Sequence, residues 1–263
     1  MFTLPGSEDD ILFFPLQLAR LFARRHLIMK KSLPKTDGMK VSGSSGNSRW
    51  KQFVFLPALL TLSFLLLHAM TFQHTSPLRP GDFCPEKFPQ YICACDADQD
   101  GIADSADILQ GALRYTASCP KYRSAYYEGG YPDDGCGVCT DVVASALREA
   151  GYDLRELVDE DIHAHPQDYA DEVPDRNIDF RRVRNLKVYF SRNALLLPAD
   201  LSDLSVWQGG DIVIFQDHIG IVSDRRNPDG VPYVIHHSGP WQRFYEEDIL
   251  ESRNDIVLHC RIC

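Results

Sequence analysis

Cys139, His218 and His236 are the residues whose types and settings could do covalent chemistry. Gly129-Gly130-Tyr131-Pro132-Asp133-Asp134-Gly135 reads as a turn that runs into Cys139. An amphipathic run follows, with Val142, Val143, Ala146, Leu147 and Ala150 on one side and Gly151 as a natural stop. That spacing predicts a helix with Cys139 at or just before its N-terminus. Unpaired N–H groups and the positive end of the helix dipole favour a thiolate there, and the thiolate is the nucleophile. The plainer reading is a small buried apolar residue, or half of a disulfide with Cys136.

A base is supplied downstream. Gly210–Phe215 reads as a strand, Gln216-Asp217 as a tight turn and His218–Val222 as the next strand. Tyr233–His237 reads as a third strand after the turn Asn227-Pro228-Asp229-Gly230. In adjacent antiparallel strands His218 can lie beside one of His236 and His237. Strand neighbours face opposite sides, so only one of that pair can do so. A Cys at a helix start, a base on a strand and an orienting His on its neighbour would form a Cys-His-polar triad.

The strings GYPDDGCGVCTDVV, NIDFRRVRNLKVYFSR, WQGGDIVIF, HIGIVSD and PYVIHH, in that order, closely resemble the bacterial domain-of-unknown-function family 1287. The resemblance runs from about Asp96 to the C-terminus. That family is similar in turn to the NlpC-type cell-wall peptidases and CHAP amidases of the papain-like superfamily. Their pattern is Y-x-G-G, a Cys opening a helix, H-x-G-I and a later I-H. Here it falls on Tyr127-Glu128-Gly129-Gly130, Cys139, His218-Ile219-Gly220-Ile221 and Ile235-His236. The resemblance implies Cys139 as nucleophile, His218 as base, His236 as orienting residue and Tyr127 as an aid to the oxyanion. His237 takes the third role if the register slips by one. Thr140-Asp141 departs from the Ser-Gly that usually follows the peptidase Cys.

A second stretch points to a cation. Between Asp96 and Asp107, carboxylates stand at positions 1, 3, 5, 9 and 12 (Asp96, Asp98, Asp100, Asp104, Asp107), with Gly101 at position 6. The Ile102 carbonyl would add a ligand at position 7. This is the spacing by which a loop wraps Ca2+. It resembles the dockerin and thrombospondin type 3 calcium loops, and it departs from the EF-hand in lacking Glu at position 12. The expected ion is a structural Ca2+, with no organic cofactor. The plain alternative is a solvated acidic turn capping a helix from about Asp107 to Ser118.

Eight cysteines suggest disulfides in an exported domain, with candidate pairs among Cys84, Cys93, Cys95 and Cys119. Cys136-x-x-Cys139 and Cys260-x-x-Cys263 also have zinc-ligand spacing. Arg181 and Arg182 could hold a substrate carboxylate, or simply pair with carboxylates of the chain.

The elements that must position these residues come after an N-terminal region of different character. Residues 1–75 carry nine Lys/Arg and four Asp/Glu, net +5, so the remainder carries −15. That acidic body argues against nucleic acid as a partner. Residues 1–52 read as a cytoplasmic segment or as sequence upstream of the true start. Residues 53–72 hold no charge and suffice to cross a bilayer, with Lys40, Arg49 and Lys51 on the cytoplasmic side. They predict an uncleaved anchor, with a cleaved signal as the alternative. Residues 73–95 read as a Cys-containing linker and 96–263 as the hydrolase domain.

The fold class expected is α+β and papain-like: a nucleophile helix on an antiparallel sheet, preceded by one transmembrane helix. The expected function is a membrane-anchored, extracytoplasmic cysteine amidase or peptidase, with peptidoglycan or its peptides as the substrate implied by resemblance. Two alternatives remain: a non-catalytic cell-surface binding domain stabilised by calcium or zinc, and an acyltransferase using the same triad.

Overall fold

The structure is a computed structural model that describes residues 57, 59–64, 75–89, 91, 93–170 and 173–263. The chain divides into a unit of residues 1–61 and a unit of residues 62–263, and the second holds the sheet and the helices packed on it. The predicted anchor, 53–72, lies outside the described residues except for 57 and 59–64. Among the described residues no helix is long and apolar enough to cross a membrane.

Helix α1 (Asp104–Ala117) is followed by the two-residue strands β1 (Lys121–Tyr122) and β2 (Cys136–Gly137), which pair in parallel. Three further helices follow: α2 (Cys139–Glu149), α3 (Leu154–Ala164) and α4 (Val183–Asn193). The remaining strands are β3 (Leu195–Leu197), β4 (Ile212–Phe215), β5 (Ile219–Arg226), β6 (Pro232–Ile235), β7 (Glu246–Glu247) and β8 (Ile256–Arg261). They form one antiparallel sheet in the order β3-β8-β4-β5-β6-β7. The architecture is therefore mixed α+β.

Strands β4, β5 and β6 are buried on both faces, so they read as continuous apolar runs rather than alternating ones. Ile212, Ile214, Ile219, Ile221 and Ile235 face a core with the helices, which contribute Ile108, Ala112, Val142, Val143, Ala146 and Leu147. Val213, Phe215, Val222 and Val234 face the other way, onto Trp207, Val231 and Leu250. The period of two separates these sets, and it also decides where each histidine points.

The turn before β4 hangs on Asp211, which is fully buried. Its carboxylate accepts from the Gln208 N–H at 2.8 Å and from Arg261 Nε and Nη2 at 2.6 and 2.8 Å; His259 Nε2 lies at 3.0 Å. His259 stacks on Trp207 with ring centroids 3.7 Å apart. These contacts tie β8 to the loop that delivers β4.

The segment read as a linker runs back along the sheet edge. Ser76 N–H donates to the Arg243 carbonyl at 2.8 Å, and Arg79 Nε donates to Glu246 at 2.7 Å. Cys93 is bonded to Cys263, 170 residues away in sequence. This corrects both the pairing expected among Cys84, Cys93, Cys95 and Cys119 and the four-Cys zinc reading, since Cys263 has no thiolate to offer. The other six cysteines are free, and Cys136, Cys139 and Cys260 join no metal-binding cluster among the described residues.

Closing so long a loop removes much chain entropy from the unfolded state. Replacing Cys263 by Ser should cost about 2–5 kcal/mol of stability. The check is the guanidinium unfolding midpoint of wild type and variant, with and without reductant. Reductant should lower the midpoint of the wild type and leave that of the variant unchanged.

Candidate active site

Cys139 is the first residue of α2, after Val138 in extended conformation. The first turn is held from within: Asp141 accepts from the Val138 N–H at 2.8 Å. The same carboxylate takes Arg181 Nε and Nη2 at 2.7 and 2.9 Å, and Arg181 Nη1 continues to the Ala125 carbonyl at 2.7 Å. Asp141 and Arg181 are both buried. Asp141, part of the departure from the peptidase pattern, thus locks the turn before Cys139 to the segment around Arg181. Arg181 is thereby withdrawn from any substrate carboxylate, and Arg182 pairs with Asp179 at 2.8 Å.

The Cys139 sulfur meets the sheet at its end. The backbone N–H groups of Ile219, Thr140 and Cys139 lie near enough to it to favour its thiolate form. The Ile219 amide is open to the sulfur because the β5–β6 ladder ends at Ile221↔Ile235, so β6 has stopped before the position opposite Ile219. His218 is one peptide away.

The register places Gly220 opposite His236, which puts His218 diagonal to His236 on one face. His218 Nε2 lies 2.8 Å from His236 Nδ1. Gly220 leaves the room for this: a Cβ there would stand 2.6 Å from Val234 Cγ1 and 3.2 Å from His236 Cβ. The diagonal continues to β7, whose register is Val234↔Glu247. Glu247 lies 3.3 Å from His236 Nε2. Gln242 Nε2 stands 3.2 Å from the same nitrogen but has the His236 carbonyl to donate to at 3.1 Å. The charged acceptor therefore assigns the proton. With Glu247 accepting from His236 Nε2–H, His236 Nδ1 accepts from His218 Nε2–H, and the lone pair of His218 is left on Nδ1.

His237 faces the helices instead. Its Nδ1 is 2.8 Å from the Tyr115 hydroxyl, its ring sits among Tyr115, Tyr122 and Tyr245, and its Nε2 is buried without a partner. Of the histidine pair, His236 is therefore the one that meets His218.

Burial sets the resting protonation. It pushes the Cys139 thiol up to about 11, against the three amides that favour the thiolate. It lowers the His218 imidazole to about 3, with His236 adding to the effect, and His237 to about 4. The expected low-pKa thiolate is thus corrected. A helix dipole contributes about 0.3–1 kcal/mol, less than one pKa step of about 1.4 kcal/mol, whereas burial can shift a group several steps. The site rests as thiol and neutral imidazole.

Tyr127 sends its hydroxyl to Asp134 at 3.1 Å, and the Arg181 guanidinium lies 5.0 Å from its ring centroid. A cavity of about 200 Å³ lies along α2, lined among others by Tyr131, Cys136, Asp141, Ser145 and Arg148. Cys139 and the histidines are not among its lining residues. Arg148 stacks on Tyr131 there, 3.7 Å from the ring centroid.

In the acidic loop, Asp96, Asp98 and Asp100 bring carboxylate oxygens within 4.8 Å of one another. Asp104 is turned away: it accepts from the Ala97 N–H at 2.9 Å and from the Tyr152 hydroxyl at 2.5 Å. It is thus removed from the expected ligand set. Asp107 is buried in the first turn of α1, and Ile102 is exposed. Sequence reasoning missed Glu247 and Tyr115. Glu247 lies on a strand of two residues, too short for a periodic signal, and Tyr115 reads as one more apolar position of α1.

Residues 109–262 match the family described as Domain of unknown function (DUF1287), and the chain belongs to that family. It is 41% identical over 156 residues to a relative in Escherichia coli (strain K12) named Uncharacterized protein YijF, covering 54% of this chain and 75% of the relative. No solved structure matches the chain.

This geometry has two measurable outcomes. Arg181→Met should leave the Asp141 carboxylate buried and unpaired, at a cost of about 3–5 kcal/mol read from denaturant unfolding. The histidines set the acid response. Both bind protons near pH 6.5 when unfolded, but only near 3 and 4 when folded. The unfolded chain therefore takes up more protons in between, and stability should fall as pH drops from about 6.5 towards 4. Melting curves across that range check it, and His237→Phe should flatten the fall.

Proposed function

We propose that the protein is an extracytoplasmic cysteine hydrolase of the NlpC/CHAP kind that cleaves amide bonds, with peptidoglycan as its substrate class. One observation carries this: Cys139 opens a helix whose start lies near the Ile219 amide, the residue before Ile219 is His218, and His218 Nε2 lies 2.8 Å from His236 Nδ1. Cys139, His218 and His236 follow one another along the chain in the order of that superfamily's pattern, which supports the reading. The disulfide supports an oxidising compartment, since such bonds are rare in the cytosol.

On this reading the reaction follows a general-base route. As Sγ attacks the carbonyl carbon, its proton passes to His218 Nδ1. The imidazolium that forms is stabilised through Nε2–H to His236, which is itself oriented by Glu247. Helix-start N–H groups are the donors available to the oxyanion. His218 then gives its proton to the leaving amine as the C–N bond breaks. Water, deprotonated by His218, releases the acyl group and restores the thiol. An acyltransferase would share the acyl-enzyme and differ only in the acceptor.

The test is digestion of peptidoglycan sacculi by the full chain, with soluble fragments followed by mass spectrometry. New amine and carboxyl ends are expected with wild type. Cys139→Ala should reduce them to background and His218→Ala by about 10²–10⁴-fold. Glu247→Gln should lose about 10²-fold or more by permitting the wrong tautomer, with Glu247→Asp retaining most of the rate. Fragments undiminished in Cys139→Ala would overturn the mechanism. An intact sacculus alongside Cys139-dependent cleavage of another amide would overturn only the substrate. A product joined to an added amine would favour the transferase.

A further inference from the structure

Asp107 presents a buried charge that the hydrolase site does not use. It is 5% exposed, and its Oδ2 has no hydrogen-bond partner. Asp107 lies in the first turn of α1 with Asp104, directly after the loop that carries Asp96, Asp98 and Asp100. Glu149 is paired with Arg114, and Asp104 is engaged by Tyr152 and Ala97. Asp98 and Asp100 are left, with Asp96, as an exposed group of carboxylates and no cation paired to them among the described residues. An unpartnered carboxylate in a buried setting is costly, and more so when like charges face it. The arrangement lacks one positive charge.

We infer that Asp96, Asp98, Asp100 and Asp107, with the Ile102 carbonyl, bind one Ca2+. The chemistry favours calcium: all donors are oxygen, and they come from a flexible loop able to supply six or more ligands at uneven angles. The left-handed turn that wraps the ion is provided by Gln99 and Gly101, with φ of 62° and 93°. Asp107 lies outside the 4.8 Å circle of the other three, so binding draws the start of α1 onto the loop. The structure also gives the site a consequence. Asp98 packs on Gly151 just past the end of α2, where an added Cβ would stand 2.9 Å from Asp98 Cβ and φ is 83°. The Asp104 N–H donates to the Cys95 carbonyl at 2.9 Å, two residues from the Cys93–Cys263 disulfide. Calcium therefore fastens the segment entering the domain to the far end of the nucleophile helix. The loop lies before residue 109, outside the part matched by the family.

The test uses the full chain, stripped with chelator, titrated with CaCl2 by calorimetry and melted with and without the ion. One site is expected, with Tm rising about 5–10 °C at about 100 times Kd. The double variant Asp98→Asn/Asp100→Asn, both exposed, should fold and lose the binding and the rise. Asp107→Asn gives the sharper reading. Removing an unpartnered charge should raise Tm of the calcium-free protein while weakening binding at least 10-fold, whereas a merely structural carboxylate would lower Tm when replaced. The inference is overturned by no binding at millimolar CaCl2, by an equal response to MgCl2, or by binding that survives the double variant.

Discussion

The strand register across β5, β6 and β7 is the constraint on which this structure depends. With Ile221 opposite Ile235 and Val234 opposite Glu247, His218, His236 and Glu247 fall on one diagonal of one face. Slipping β6 by one residue would bring His237 to that face and send His236 among the tyrosines. The isoleucines of the helix-facing core would be displaced with it, so the hydrophobic pattern guards the polar one. The same register ends the β5–β6 ladder early and leaves the Ile219 amide for sulfur. A sheet that paired two residues further would satisfy its own hydrogen bonds and close the place where the nucleophile arrives.

Two buried carboxylates hold the parts that the sheet does not reach. Asp141 fastens the nucleophile turn through Arg181, and Asp211 fastens the β4 loop to β8 through Arg261 and His259. Each is enclosed and each accepts a two-pronged guanidinium contact plus a backbone N–H. A buried pair adds little net stability over apolar packing, but it strongly disfavours arrangements in which the partners are apart. Their contribution here is to placement: Asp141 fixes the turn before Cys139, and Asp211 fixes the loop before β4.

The parts of the fold that are legible in sequence are those where one local signal suffices. The turn into Cys139, the helix after it and the apolar strands around His218 and His236 all show in composition and spacing. Strand β8 does not, because His259 and Arg261 look like surface residues, and their burial depends on Asp211, about fifty positions earlier. The span 185–192 reads equally as helix or strand: Leu186, Val188 and Phe190 alternate, while the residues that are buried, Leu186, Tyr189 and Phe190, keep helical spacing. Glu247 and the Cys93–Cys263 bond depend wholly on tertiary approach. The charge state of Cys139 escapes the sequence for the same reason, because local geometry gives the helix dipole and only the packed structure gives the larger desolvation.

That desolvation shapes what the site can do. A resting thiolate–imidazolium pair would present two charges to a place whose burial disfavours both. A neutral pair needs little stabilisation at rest; in the proposed reaction, negative charge would develop on the carbonyl oxygen while the thiol proton makes His218 positive. Donors that do little for a neutral thiol become strong once charge develops in the same low-dielectric space, because they need no reorganisation. Glu247 works in the same sense from the other end. It sits behind His236, 3.3 Å from Nε2, and it biases which His218 nitrogen bears the lone pair. On the proposed hydrolase reading, the polar groups would act on the transition state rather than on the resting protein, which is the condition for raising kcat rather than tightening binding alone.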